Sequence, residues 1–413
     1  MRKRAAACLI MAAVIFLLAA CQEGNAKLSE AWQAQSGEKE NSGLSTAPEK
    51  LREITEEVQN KIAAEQSGPI KGIYVTGPMA GHKNMENLIQ LVRESELNAM
   101  VIDIKNDEGI ITYEMEDPMV LELGASAKYI ADLPGLLKRL KEEDVYCIAR
   151  ITAFKDPLLA SKRPDLCIQR KDGGVFTDKN GLAWVNPYRQ EVWEYLMAIA
   201  EQAAALGFDE IQFDYIRFPT EIADEEADYG EGSLEKSKTD VITEFTAYAY
   251  EHLSPLGVKV SADVFGTVID QEIDAEIVGQ DYPVMAEHLD YICPMIYPSH
   301  YNDGVYGLDH PDLQPYETIR AALEASRESL DGIPEDVKKA EVRPWLQDFT
   351  ASWLSVHQDY GPEQLRQQIQ AVYDSGCTEW LLWNAKNIYT EEGLLSPEEA
   401  AEEMKVLADE AEE

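Results

Sequence analysis

The stretch EIQFDYIRFP (residues 210–219) reads as a buried strand, because Ile211, Phe213, Tyr215, Ile216 and Phe218 are the β-branched and aromatic types that suit a packed, pleated surface. Asp214 stands in its middle, Arg217 follows three places later, and Pro219 ends the run. An ionised carboxylate in a dry core costs several kcal/mol, roughly, unless it is paired or hydrogen-bonded. Asp214 is therefore either a satisfied structural group or the mark of a strand that ends at a wet, functional mouth. Other apolar runs repeat the pattern: Asp103, Lys105 and Asp107 in NAMVIDIKND, Arg150 in VYCIARITAF, and Asp263 in VKVSADVFG. Carboxyl groups gathered beside cations are the parts of acid–base and nucleophilic chemistry. Whether they gather depends on the elements that carry them.

Eight such runs follow Gly68-Pro69, at 71–77, 98–107, 145–154, 210–219, 258–266, 291–301, 341–349 and 379–387. Helical patterns separate them at 85–95, 132–143, 188–206, 238–253, 281–288, 315–329 and 362–374, with a last helix near 396–408. Strict alternation of strand and helix implies βα units and a parallel sheet. Eight units in about 330 residues have the count and size of a (β/α)₈ TIM barrel. An open doubly wound sheet would carry a glycine fingerprint after its first strand, and GPMAGHKNM lacks GxGxxG.

Strand alternation then sorts the side chains. Gln212 and Asp214 oppose Ile211, Phe213 and Tyr215, and so point into the barrel. Asp103 and Lys105 oppose Ile102 and Ile104, while Ser261 and Asp263 oppose Val260, Ala262 and Val264. Arg150, Tyr297, Gln347 and Asn384 stand near the carboxyl ends of their own runs. Polar residues at one end of every strand describe a lined pocket at the end where barrel enzymes keep their sites. Arg217, of opposite parity to Asp214, is expected to pin the strand end or the next loop.

The bulk properties exclude some partners. A formal net charge of -40 repels nucleic-acid phosphates and anionic headgroups, so electrostatic binding to either is not expected. Arg2, Lys3 and Arg4 precede an apolar run to Ala20, the layout of a secretory signal and short for a membrane span. Leu18, Ala19, Ala20 and Cys21 resemble a bacterial lipobox, which implies cleavage before Cys21, lipidation of its thiol and an extracytoplasmic, membrane-anchored protein. Residues 21–68 have the composition of a linker, with an amphipathic helix marked by Leu51, Ile54, Val58 and Ile62. The chain thus divides into a signal (1–20), a spacer (21–68), a barrel (69–395) and an acidic C-terminal helix (396–413). Cys147, Cys167, Cys293 and Cys377 are expected to be buried free thiols. No Cys or His constellation suggests zinc, and the acidic stretch EIADEEADYGEG lacks spaced calcium-ligand geometry, so neither metal nor cofactor is expected.

GLAWVNPY (181–188), LGFDEIQFDYIRFP (206–219), NAMVIDIKND, VRPWLQDF and EWLLWNA together resemble one bacterial family, the "putative glycosyl hydrolase domain" family, barrels distantly related to the α-amylase type. The resemblance runs from about Gly72 to about Asn387. It implies a (β/α)₈ barrel that acts on carbohydrate. Glycosidic hydrolysis needs two carboxyl groups about the anomeric centre. The resemblance puts the nucleophile or base at Asp214 and the acid at Asp263, where α-amylase barrels carry Glu. Trp184, Asn186, Tyr297, His300, Trp345, Gln347 and Asn384 are candidates for sugar contacts, beside Asp103, Lys105 and Arg150. The resemblance thus implies a glycoside hydrolase or transglycosidase on an extracytoplasmic polysaccharide, and a non-catalytic carbohydrate-binding lipoprotein on the same barrel is the alternative.

The lipobox is testable by itself. Replacing Cys21 with Ser should abolish lipid labelling and release the protein from membranes; unchanged membrane retention of that variant would exclude the anchor.

Overall fold

The computed structural model describes residues 68–222 and 226–411. The signal, the lipobox and the expected helix of the spacer lie outside the described residues, as does part of the acidic stretch.

Eight parallel strands close on themselves: β1 (Lys71–Val75), β2 (Ala99–Lys105), β3 (Tyr146–Thr152), β4 (Glu210–Asp214), β5 (Lys259–Phe265), β6 (Tyr291–Met295), β7 (Glu341–Val342 continued by Trp345–Gln347) and β8 (Trp380–Trp383). Each pairs with its sequence neighbour, and the pairing of β8 with β1 shuts the ring. The outer ring comprises α1 (Met85–Glu94), α2 (Leu133–Glu142), α3 (Gln190–Leu206), α4 (Lys238–Leu253), α5 (Tyr282–Ala286), α6 (Pro315–Leu330), α7 (Pro362–Asp374) and α8 (Pro397–Ala411). This is the (β/α)₈ TIM barrel that the alternation of runs implies. Shorter helices not foreseen in the sequence, Pro118–Leu123, Pro157–Lys162 and Glu272–Val278, lengthen the loops after β2, β3 and β5.

Two apolar layers hold the ring. Outward residues such as Ile102, Ile211, Phe213 and Val260 pack against the helices. Inward residues, among them Val101, Ile148, Cys293, Trp345 and Leu381, fill the barrel itself. Gly72 is needed inside, because a Cβ there would come within 2.7 Å of Leu381 Cδ2 and 3.2 Å of Ala99 Cβ. Cys147, Cys167, Cys293 and Cys377 are all free thiols, and all but the half-buried Cys377 are buried.

Strand β7 departs from the continuous run read in the sequence. Pro344 has no amide hydrogen to give the ladder, yet alternation continues across it. Arg343, Trp345 and Gln347 turn inward while Leu346 joins the outer layer. Arg343 anchors the barrel floor: its Nη1 donates to both Glu210 oxygens at 2.9 Å, its Nε donates to Glu379 at 2.7 Å, and its guanidinium lies 3.6 Å from the Tyr291 ring centroid. Glu210 also accepts from Ser261 at 2.5 Å, which ties β4, β5 and β7 together.

Removing one partner of a buried pair leaves an uncompensated charge, at about 3–5 kcal/mol. Arg343→Met should therefore cost about that much in urea unfolding, and the double variant with Glu210→Gln should recover a large part of it. A loss below about 1 kcal/mol, the range of an exposed pair, would show that this pair does not hold the floor.

Candidate active site

Arg150 organises the carboxyl end of the barrel. It projects inward from β3, where register places it between Asp103 of β2 and Gln212 of β4. Its Nη1 donates to Asp103 Oδ1 at 2.5 Å, while Nε, at 3.0 Å, and Nη2 both donate to Asp214 Oδ2. The Tyr215 amide donates to the other Asp214 oxygen at 2.6 Å. Asp103 Oδ2 accepts from the Tyr74 hydroxyl at 2.5 Å, and Tyr74 stacks on Trp383 with centroids 4.1 Å apart. A hydrogen-bonded chain thus crosses the first four strands, Tyr74–Asp103–Arg150–Asp214. Burial pushes the Asp103 carboxyl up against the pull of Arg150.

Asp263 stands apart from this chain and next to its end. The β4–β5 register pairs Phe213 with Ala262, so Asp214 and Asp263 occupy the next positions of neighbouring strands. Its Oδ1 accepts from the Trp345 indole at 2.6 Å, and no cation touches it among the described residues. Burial first, then the Asp214 charge, pushes its carboxyl well above the ordinary range. Two carboxyl groups in adjacent positions therefore have opposed surroundings, one clasped by a guanidinium and the other enclosed and held by an indole.

Both open on a cavity of about 830 Å³, as do Arg150, Tyr297, Trp345 and Trp383. Gly266 lies on its wall, where a Cβ would come within 2.2 Å of the Tyr301 hydroxyl and 2.7 Å of the Met295 carbonyl oxygen. His300 also lines it, and burial keeps that imidazole below its ordinary value.

The other sequence candidates lie elsewhere. Asp103 faces inward as expected, but beneath Arg150 and off the cavity wall. Lys105 does not join the pocket. A bulge between Asp103 and Lys105 sets Lys105 opposite the outward Ile151, and its Nζ donates to Thr152 O at 2.7 Å and pairs with Asp156 at 2.9 Å. Trp184 is buried in the outer core. Asn186 holds a turn, donating to Tyr229 O at 2.9 Å and accepting from the Tyr188 amide at 3.1 Å. Gln347 turns inward but braces loops, accepting from Ser299 and donating to Phe349 O at 3.0 Å. Asp348 turns away from the barrel to Thr390. Asn384 donates to Asp348 O at 2.6 Å, and its neighbour Trp383 takes the inward position.

Tyr215 and Arg217 correct the parity argument. Both line the cavity, because β4 ends at Asp214 and Tyr215 takes a left-handed φ of 49°, after which strand alternation no longer applies. Tyr74 and Trp383 were also missed, although parity alone would have found Trp383.

A family described as "Putative glycosyl hydrolase domain" matches residues 72–389. The chain belongs to that family. A hypothetical protein from Ruminiclostridium thermocellum ATCC 27405 is 40% identical over 46% of this chain and 97% of its own, with a TM-score of 0.43. The PgaB (BpsB) glycoside hydrolase domain from Bordetella bronchiseptica is 14% identical, covering 76% of this chain and 94% of its own at a TM-score of 0.51. Alpha-L-fucosidase isoenzyme 2 from Paenibacillus thiaminolyticus is 13% identical, covering 83% and 49% at 0.51. The last two share the fold. No curated protein matches the chain.

Asp263 gives a pH signature. With its pKa raised on folding, the native state keeps a proton that the unfolded chain releases above about pH 4. Stability from this group is therefore lost as pH rises from there through the raised value, at up to about 1.4 kcal/mol per pH unit for one proton. Asp263→Asn should flatten the fall in unfolding free energy by about one proton's worth, leaving the contribution of Asp103. An unchanged slope in urea titrations across pH would mean that Asp263 is not the group holding the proton.

Proposed function

We propose that this member of the glycosyl hydrolase family cleaves a polysaccharide outside the cytoplasm, with Asp214 as nucleophile and Asp263 as general acid. The observation that carries the reading is the opposed environment of two register-adjacent carboxyl groups on one cavity. Asp263 supplies the proton to the leaving oxygen, and its elevated pKa suits a group that must hold that proton near neutrality. Asp214, oriented by Arg150 and the Tyr215 amide, adds to the anomeric carbon; water then displaces it with Asp263 acting as base. Neighbouring strands lie about 4.8 Å apart, which favours the short carboxyl spacing of retaining enzymes, about 5 Å, over the 6.5–9.5 Å of inverting ones. The half-buried Trp383, with Tyr297 beside it, gives the cavity aromatic surface on which a sugar ring can pack. Export and lipidation at Cys21, with residues 21–68 as spacer, would place the barrel where such polymers are found.

Turnover of a polysaccharide panel by the full-length chain is the test, with amino-sugar polymers and cell-wall glycans included. Asp214→Asn and Asp263→Asn should each lower turnover by two or more orders of magnitude in protein that still folds, since each removes a charge and almost no volume. Asp214→Asn, which takes an anion from the buried Arg150, should also melt lower, and circular dichroism checks that the fold is kept. The anomer released first should match the substrate's. Full activity in Asp214→Asn would return this residue to a structural role. Binding without turnover in the parent chain would favour a non-catalytic carbohydrate module.

A further inference from the structure

Five cations are buried among the described residues: Lys71, Lys105, Arg150, Arg217 and Arg343. Four have carboxylate partners within 4.0 Å, namely Glu96 for Lys71, Asp156 for Lys105, Asp103 and Asp214 for Arg150, and Glu210 and Glu379 for Arg343. Arg217 has none. It is 8% exposed, and Nη1 donates to its neighbour's Phe218 carbonyl at 2.8 Å. Nε and Nη2 donate to no acceptor among the described residues, and the side chain lines the cavity that holds Asp214 and Asp263.

Its surroundings fix it in place without neutralising it. The guanidinium lies 4.4 Å from the Phe265 ring centroid, 4.9 Å from Trp184 and 5.2 Å from Tyr215. Asp214 and Glu221 act on it only through space, and burial lowers its affinity for its own proton. Aromatic faces stabilise a desolvated cation by about 2 kcal/mol, less than the several kcal/mol that removal from water costs. A guanidinium is also a planar fork that matches two oxygens of one anion. A rigid, unpaired fork at the wall of a sugar site is a receptor for such oxygens.

We propose that the sugar held in this cavity carries an anionic substituent, a carboxylate or a sulfate ester, which Arg217 binds. This deepens the reading given above and rests on it. The net charge of -40 does not oppose it, because exposed charges are screened within about 8 Å at physiological ionic strength whereas a contact pair inside the cavity is not. The same surface charge disfavours densely charged polyanions, so the fitting polymer carries its anions at intervals among neutral sugars.

Saturation-transfer NMR on the full-length chain tests this with matched sugars: D-glucuronate against D-glucose, D-galacturonate against D-galactose, and glucose 6-sulfate. At least one anionic sugar should bind tenfold or more tightly than its neutral counterpart, and uronate against sulfate ester assigns the group. In Arg217→Gln the preference should collapse toward unity; Arg217→Lys, which keeps the charge but not the fork, should retain part of it and guards against misfolding of the first variant. Equal or tighter binding of the neutral sugars, or an undiminished preference in both variants, overturns the inference and leaves the carbohydrate reading standing. Binding of none of the five sugars also overturns the inference, and the carbohydrate reading is then decided by turnover of the polysaccharide panel.

Discussion

Arg150 is the constraint on which the site depends. A guanidinium buried in the middle of a barrel is tolerable only with anions on it, and Asp103 and Asp214 supply them from the strands on either side. The three residues hold β2, β3 and β4 in one register at the end where the cavity opens. They also leave a shortage. One guanidinium faces two carboxyl groups, with a third, Asp263, at the next strand, so the cluster carries more carboxyl groups than cations to balance them. Burial pushes both Asp103 and Asp263 up, Asp103 against its contact with Arg150 and Asp263 with no cation on it among the described residues. Of these only Asp263 opens on the cavity, where a proton can be given to a substrate.

The three inward arginines form a series from floor to mouth. Arg343 is paired with two glutamates at the floor, lies off the cavity that holds Asp214 and Asp263, and serves as a bolt, although its Nη2 has no hydrogen-bond partner among the described residues. Arg150 is also paired twice, but one of its anions, Asp214, opens on the cavity, so the contact that satisfies the buried guanidinium also orients a carboxyl group at the cavity wall. Arg217 has aromatic neighbours and no anion. Arg343 and Arg150 thus carry carboxylates, whereas Arg217, at the open end, has none among the described residues. A buried cation left unpaired is unfavourable in the empty protein, and a cost retained only at the mouth is best explained by an occupant that removes it.

Much of this was legible because period-two alternation is a local property. Asp103, Arg150, Asp214, Asp263 and Tyr297 all turn inward, as their runs require. Sequence reasoning lost its grip where the backbone stops being a regular strand. The bulge at β2 carries Lys105 to the outer side, and the left-handed Tyr215 brings Arg217 round to the cavity. At β8 the bias toward polar residues chose Asn384 over Trp383, against a parity that was available. Trp184 and Asn186 were illegible for another reason. Their loop folds back on the outer core through contacts with residues more than thirty positions away, such as Tyr229, and no local pattern encodes those.

An aspartate at 263 has a side chain shorter by one methylene than a glutamate would have, and reaches less far into the cavity. The structure compensates by fixing it. Trp345 crosses the barrel to hold Oδ1, which leaves Oδ2 as the oxygen free to carry the proton. Trp345 can do so because Pro344 interrupts the ladder of β7 without breaking its alternation: Arg343, one step down, stays on the floor, and the indole, one step up, reaches the acid. Backbone bonds hold the interrupted strand in place on both sides, from the Arg343 amide to Ile292 O at 3.0 Å and from the Leu381 amide to Pro344 O at 2.9 Å. The proline and the short acid are therefore one arrangement. A longer acid at 263 would have to displace the indole, and the indole is what gives the short acid a defined orientation.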